Sequence, residues 1–148
     1  MHPAKSVIFF TTISGAGFGL IALLSLALCF GMASFDTAFY ISALIAVFLS
    51  SAGLISSTFH LGNPQRAWRA VSQYQSSWLS REGVLSILTL GCFVLWIGSA
   101  YITGAAPAWI GALVALLCGL TIFATAMIYA QLKPVSYTHL TLPTILLV

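Results

Sequence analysis

Residues 7–33, VIFFTTISGAGFGLIALLSLALCFGMA, carry no charged side chain. A helix needs about 20 apolar residues to cross the hydrocarbon core of a bilayer. Comparable apolar runs follow at residues 38–60, 84–103 and 108–132. The whole chain is 60% hydrophobic and 5% charged, whereas soluble domains carry about 25% charged residues. The sequence therefore predicts an all-α protein, a multi-pass transmembrane helical bundle with four membrane-spanning helices.

The long connector at residues 61–83 is predicted to have structure of its own. Gly62 is suited to end the second helix in a left-handed conformation. Asn63 then suits an N-cap and Pro64 the first position of a new helix. The helix that follows, up to Tyr74, has one apolar and one polar face, which is typical of a helix lying at the membrane surface.

Small residues within the spans indicate where helix backbones approach closely. Gly15 and Gly19 stand at GxxxG spacing in the first span, and Ala115 and Gly119 have the same spacing in the fourth. Such pairs commonly lie at interfaces between membrane helices. We expect them to serve packing and to carry no chemistry.

Formal charge is gathered on one side of the predicted bundle. Four crossings place Asp36 on one side of the membrane. The side of the 61–83 connector then holds five basic residues: Lys5, Arg66, Arg69, Arg81 and Lys133. By the positive-inside rule the basic side faces the cytoplasm. A basic surface that docks a partner subunit produces the same asymmetry, so both interpretations stand.

The C-terminal tail differs in character from the rest of the chain. Residues 135–144 read VSYTHLTLPT, which the codons GTC TCT TAT ACA CAT CTG ACG CTG CCG ACG encode. This codon series resembles the end of a transposon adapter used to prepare sequencing libraries. We therefore expect an anchor domain over residues 1–134 and a non-native tail over residues 135–148; a genuine polar turn with an apolar end is the alternative.

Two ionisable residues flank the connector and are candidates for chemistry. Ionisable groups at membrane depth are costly, and they commonly mark functional sites. His60, at the end of the second span, can accept or release a proton near neutral pH, or can cap the last carbonyls of its helix. Glu82 can relay a proton to the surface. Alternatively, with Ser80 as the N-cap of the third helix, Glu82 lies in its first turn and pairs with Arg66 or Arg69.

We expect no haem, metal or cluster in this chain. Haem in a helical bundle needs axial ligands such as facing histidines, and besides His60 the sequence has only His2 and His139. No two cysteines form a CxxC pair, so they predict neither zinc nor cluster binding: Cys29, Cys92 and Cys118. Thiols of this kind usually serve as small packing residues.

Several segments together resemble the DMSO reductase anchor subunit family, the membrane subunits of bacterial molybdoenzymes. The specific segment is FHLGNPQRAW at residues 59–68, supported by SSWLSREG at 76–83 and AMIYAQLKPV at 126–135. The resemblance covers nearly all of residues 1–134. Members usually have about eight membrane helices, so it also implies that this chain is a truncated N-terminal half.

The resemblance implies a function and a set of site residues. Family members oxidise menaquinol in the bacterial cytoplasmic membrane and pass its electrons to an iron–sulfur subunit and a molybdopterin catalytic subunit in anaerobic respiration. The family's quinol-site histidine matches His60, and its site carboxylate matches Glu82. We expect Arg81 and Tyr129 to contribute to quinol binding, and two further basic residues to dock the iron–sulfur subunit: Arg66 and Arg69. The alternatives are a purely structural anchor and a small-ligand-binding membrane protein without quinol chemistry.

Overall fold

Four helices account for the regular secondary structure that the computed structural model describes. Its described backbone comprises residues 5–59, 78–104 and 106–145, and its described side chains lie within residues 11–56, 78–104 and 106–128. Each helix contains a stretch long and apolar enough to cross a membrane. The predicted all-α bundle with four spans is thereby confirmed. The helices are α1 (Lys5–Cys29), α2 (Thr37–Phe59), α3 (Trp78–Thr103) and α4 (Ala108–Ile145).

Two helices extend beyond the apolar runs that predict them. α3 begins at Trp78 rather than at residue 84, and α4 continues to Ile145 rather than ending near residue 132. Hydropathy locates the apolar stretch of a helix, whereas backbone hydrogen bonding continues into polar neighbours. The predicted N-cap role of Ser80 is therefore wrong, because Ser80 is the third residue of α3 and is buried. An adapter origin of the tail, which concerns the DNA, stays a prediction.

The loop between α1 and α2 is closed by local hydrogen bonds at both helix ends. Gly31 has a φ of 68°, and the backbone N–H of Met32 donates to the carbonyl of Ala27 at 2.8 Å. This left-handed glycine ends α1 as in a Schellman motif. Asp36 then caps α2, since its Oδ1 accepts from the backbone N–H of Phe39 at 2.7 Å. We call this side of the bundle, with residues 104–107, the loop end, and the opposite side the connector end.

The helices run antiparallel around the bundle, and their contacts are unequal. α1 packs against α2 and α4, and α4 also packs against α3, whereas α2 and α3 touch at few places among the described residues. The apolar core lies towards the loop end, where all four helices contribute large buried side chains: Phe18, Ile21, Phe39, Phe93, Trp96 and Val114. The connector-end half of the bundle contains more buried polar groups.

The closest backbone approach is between α1 and α2, at residues other than the predicted ones. A Cβ added at Gly17 would stand 2.6 Å from the backbone nitrogen of Ser50, and one added at Gly53 would stand 2.5 Å from the Cβ of Ser14. Real Cβ atoms do not come this close, so both glycines are required. A Cβ added at Gly15 or Gly19 would meet no described atom within 4 Å.

The predicted GxxxG contact in α1 is therefore wrong among the described residues. A Cβ at Gly119 in α4 likewise meets no described atom within 4 Å. The reason lies in the rotation of each helix: Gly17 faces α2, whereas Gly15 and Gly119 are exposed on outer faces. Spacing alone does not fix which side of a helix meets its neighbour.

Candidate functional site

Glu82 lies on the inward face of α3, close to the connector end. Glu82 is 8% exposed. It is one of only two acidic residues in the chain. From Glu82 onward, buried positions in α3 recur every three or four residues, which is the period of one helix face. They run from the polar connector end to the apolar core: Ser80, Glu82, Ser86, Thr89, Phe93, Trp96 and Ala100. The helical register of α3 thus turns this carboxyl into the bundle.

A threonine of the neighbouring helix holds the Glu82 carboxyl. The hydroxyl of Thr125, in α4, donates to Oε1 of Glu82 at 2.5 Å. This is at the short end of the range for hydrogen bonds between a hydroxyl and a carboxyl oxygen. The Thr125 Oγ1 also lies 3.1 Å from the carbonyl of Thr121, one turn earlier in α4. Because a hydroxyl has one proton, the shorter contact marks the carboxyl as its principal acceptor.

Further hydroxyls continue from this pair towards the middle of the bundle. Thr89 Oγ1 of α3 and Thr121 Oγ1 of α4 lie 3.2 Å apart, and each also bonds the carbonyl four residues earlier in its helix. Ser86 lies between Glu82 and Thr89 on the same face and is fully buried. We call these five residues the polar seam: Glu82, Ser86, Thr89, Thr121 and Thr125.

Arg81 and Trp78 lie beside the polar seam. The Arg81 guanidinium carbon stands 4.6 Å from the centroid of the Trp78 ring, an arrangement that favours a cation–π interaction. The Trp78 ring in turn packs edge to face against Phe123 of α4, with centroids 6.4 Å apart. The stack ties the start of α3 to α4 through their aromatic side chains. Trp78 thus has packing partners on both of its sides, Arg81 in its own helix and Phe123 in α4.

Several predicted site residues fall outside the described part of the structure. His60, Arg66 and Arg69 lie outside the described residues, as does the predicted helix at residues 64–74. Tyr129 is within α4, but its side chain is not among those described. α2 ends at Phe59, directly before His60, at the same end of the bundle as Glu82. The roles predicted for these residues stay predictions.

The interpretation of Glu82 as a first-turn cap is wrong. The first turn of α3 contains no acidic residue, and the Glu82 side chain is buried against α4, where Thr125 bonds it. Sequence reasoning also missed Thr125 and the hydroxyls beyond it. A signal was present, because Glu82, Ser86 and Thr89 follow a helical period within an apolar span. Their partners in α4 repeat it.

The oxygen-rich seam is suited to hydrogen bonding rather than to a multi-ligand metal site. Among the side chains that the structure describes, no three residues of the metal-ligating types cluster together. The seam instead offers one carboxyl and four hydroxyls, which can donate and accept hydrogen bonds. It can therefore bind a small polar group or exchange a proton with one.

These features define a class: a multi-pass helical membrane protein with a buried carboxyl site near one end of its bundle. The chain matches the family model of the DMSO reductase anchor subunit (DmsC) over residues 1–147, and it belongs to that family. The family predicted from FHLGNPQRAW and its flanking segments is confirmed.

A curated relative adds a second comparison. This relative, a subunit of the sulfite dehydrogenase of Allochromatium vinosum, is 46% identical over 90 residues, which cover 57% of this chain and 28% of the relative. The chain thus matches less than a third of that relative's length. No solved structure matches the chain.

Proposed function

We propose that this chain is the membrane anchor subunit of a DMSO reductase-type molybdoenzyme of the bacterial cytoplasmic membrane. In this proposal it oxidises menaquinol and passes the electrons to an iron–sulfur partner, which supplies a molybdopterin catalytic subunit in anaerobic respiration. The observation that carries the proposal is the buried Glu82 carboxyl, bonded by Thr125 within a membrane span of a family member. Buried ionisable groups at membrane depth commonly mark functional sites.

Quinol oxidation requires the chemistry that a buried carboxyl supplies. Menaquinol becomes menaquinone by releasing two electrons and two protons, and the protons need acceptors inside the membrane. His60 hydrogen-bonds one quinol hydroxyl and takes its proton as the electrons leave. Glu82 conducts protons towards the connector end, while Arg81 and Tyr129 border the same site. In this proposal the chain holds no redox group of its own, so the electrons pass directly to the partner subunit.

A lipid-soluble substrate reaches this site sideways, between α2 and α3. These two helices are the adjacent pair with the fewest contacts among the described residues. At the loop end they are joined by an edge-to-face contact of Tyr40 and Tyr101, with ring centroids 5.6 Å apart. The sparse contact between α2 and α3 among the described residues supports an opening towards the lipid between them.

Basic residues of the connector dock the partner. Arg66 and Arg69 provide positive charge on the side of the membrane where Glu82 receives protons. Charge of this kind speeds the encounter of two proteins and fixes their orientation more than it adds affinity. The positive-inside rule also accounts for these charges, and exchanging both for glutamine separates the two roles. A docking role requires loss of the iron–sulfur subunit from membranes in which the anchor is still correctly inserted.

The proposal is tested by separating quinol-driven from artificially driven reduction. In membranes that contain the assembled complex, His60→Leu removes a proton acceptor from the predicted site. We expect menaquinol-dependent reduction to be lost, while the catalytic subunit is still reduced by a soluble dye that donates electrons to it directly. If both activities persist, His60 only caps α2, and the purely structural anchor becomes the better account.

A second candidate function reverses the direction of electron flow. The curated relative is named as a subunit of a sulfite dehydrogenase, an enzyme class that removes electrons from its substrate. In a complex of that kind, the site at Glu82 reduces menaquinone and takes up two protons. The assembled complex, given sulfite and a menaquinone analogue, then produces quinol. Electron flow from sulfite is excluded if the complex forms no quinol when sulfite is supplied. It is also excluded if quinol forms at the same rate without sulfite.

A further inference from the structure

Ser86 differs from the other buried hydroxyls of the seam. It is 0% exposed, and its Oγ has no hydrogen-bond partner among the described residues. Ser50 and Thr89 bond the carbonyl four residues earlier in their helices, Ala46 at 2.9 Å and Leu85 at 2.7 Å, whereas Ser25 of α1, outside the seam, also has no described partner for its Oγ. A buried polar group without a partner destabilises the fold, and native proteins nearly always provide one.

Ser86 lies between two hydrogen-bonded contacts of the seam, so a group bonded to its hydroxyl would lie between them as well. Ser86 follows Glu82 by one helical turn and precedes Thr89 by another, so all three share one face of α3. Glu82 is bonded to Thr125, and Thr89 contacts Thr121. Within the described part of the bundle, Ser86 is therefore the unpaired hydroxyl between two completed contacts that cross from α3 to α4.

The seam is closed towards the loop end by apolar side chains. The next inward-facing residue of α3 is Phe93, 1% exposed, and the next of α4 is Cys118, 0% exposed. Ile21 of α1 and Val114 of α4 are also fully buried in this core. A polar group at Ser86 thus communicates with Glu82, at the connector end, rather than with the opposite side of the membrane.

We propose that Ser86 is the hydrogen-bonding residue of a site for one hydroxylic oxygen, a quinol hydroxyl or a bound water, held between the two cross-helix contacts of the polar seam. A serine hydroxyl both donates and accepts, which matches an oxygen of either kind. Ser86 lies about 6 Å along the helix axis from Glu82, a distance on the scale of one aromatic ring. The quinol alternative rests on the proposed function, whereas the water alternative does not.

The test uses the assembled complex in native membranes with Ser86→Ala. The matched control is Ser50→Ala, because Ser50 is equally buried but already bonds its own helix. The first measurement is the dissociation constant of a short-chain menaquinone analogue in its reduced form. The second is the infrared difference band of bound water, identified by its shift in ¹⁸O-labelled water.

A quinol hydroxyl at Ser86 raises the dissociation constant of Ser86→Ala roughly tenfold, as expected for one lost hydrogen bond, and leaves Ser50→Ala at the wild-type value. A bound water instead leaves the dissociation constant unchanged and removes the labelled water band in Ser86→Ala alone. If Ser86→Ala alters neither quantity, or if Ser50→Ala alters both equally, the site is overturned. If the wild-type complex binds no analogue, the proposed function fails, and the water band still decides the role of Ser86.

Discussion

The hydroxyl of Thr125 donates to the carboxyl of Glu82 at 2.5 Å, across the interface of α4 and α3. The two residues are 43 positions apart in the sequence, so the contact exists only once the third and fourth spans have packed. A carboxyl within an apolar span is costly unless it is bonded. Thr125 therefore acts as a positioning residue, which fixes the carboxyl inside the bundle.

Thr125→Val removes the hydroxyl and keeps the shape of the side chain. We expect menaquinol-dependent activity to fall roughly threefold to tenfold, the usual cost of one hydrogen bond. Thr125→Ser retains the hydroxyl and restores most of the activity. The measurement is quinol-dependent reduction in membranes, corrected for the amount of assembled complex and for reduction driven by an artificial donor.

The control for this pair of variants is Thr103→Val. Thr103 donates to the carbonyl of Ser99 at 2.8 Å at the loop end of α3, far along the helix from Glu82. Its loss should leave quinol-dependent activity unchanged. An equal fall in activity for Thr125→Val and Thr125→Ser would contradict the role of the hydroxyl, because Thr125→Ser keeps it.

The contact of α1 with α2 predicts a large effect of adding a single methyl group. Gly17→Ala and Gly53→Ala each place a Cβ against the backbone of the other helix, so the helices must separate. Overpacking of this kind costs about 1–3 kcal/mol. We expect both variants to lower the midpoint of thermal unfolding in detergent.

Gly15→Ala is the matched control for these variants, since a Cβ there meets no described atom within 4 Å. Alanine is the better helix former by about 1 kcal/mol, so this variant should unfold at the wild-type temperature or slightly above it. A lower midpoint for Gly15→Ala would contradict the packing of α1 described above.

The contact of Thr89 with Thr121 predicts a measurable coupling between the two residues. A double-mutant cycle of Thr89→Val, Thr121→Val and the double variant isolates their pairwise term. Hydroxyl pairs between membrane helices are worth about 0.6 kcal/mol on average, and we expect a coupling of that size in unfolding experiments. Strictly additive effects would mean that each threonine is satisfied by its own helix alone.

The number and approximate place of the helices follow from the sequence because each span must be apolar over a fixed length. Residues 7–33 and 108–132 predict α1 and α4 by hydropathy, with no knowledge of any neighbour. The family was equally accessible, because FHLGNPQRAW is a specific segment in an otherwise apolar chain. The cap at Asp36 and the left-handed Gly31 each depend on few residues, although neither of them is predicted from the sequence.

Relationships between helices were not accessible in the same way. GxxxG spacing favoured Gly15, whereas Gly17 makes the contact, because rotation of a helix about its axis depends on all of its partners. The same holds for Glu82, whose bond to Thr125 depends on the register between two spans. A carboxyl next to a polar connector is expected to face solvent or a cap, and only the packing of α4 turns it inward.

The measurement that tests the central claim most directly is quinol-dependent reduction by Glu82→Gln in membranes containing the assembled complex. Glutamine keeps the size of the side chain and an oxygen that can accept from Thr125, but it cannot take up a proton. We predict a fall of at least about tenfold in menaquinol-dependent activity, with artificial-donor activity unchanged. Wild-type activity with menaquinol in Glu82→Gln would contradict the account, because the buried carboxyl would then serve packing alone.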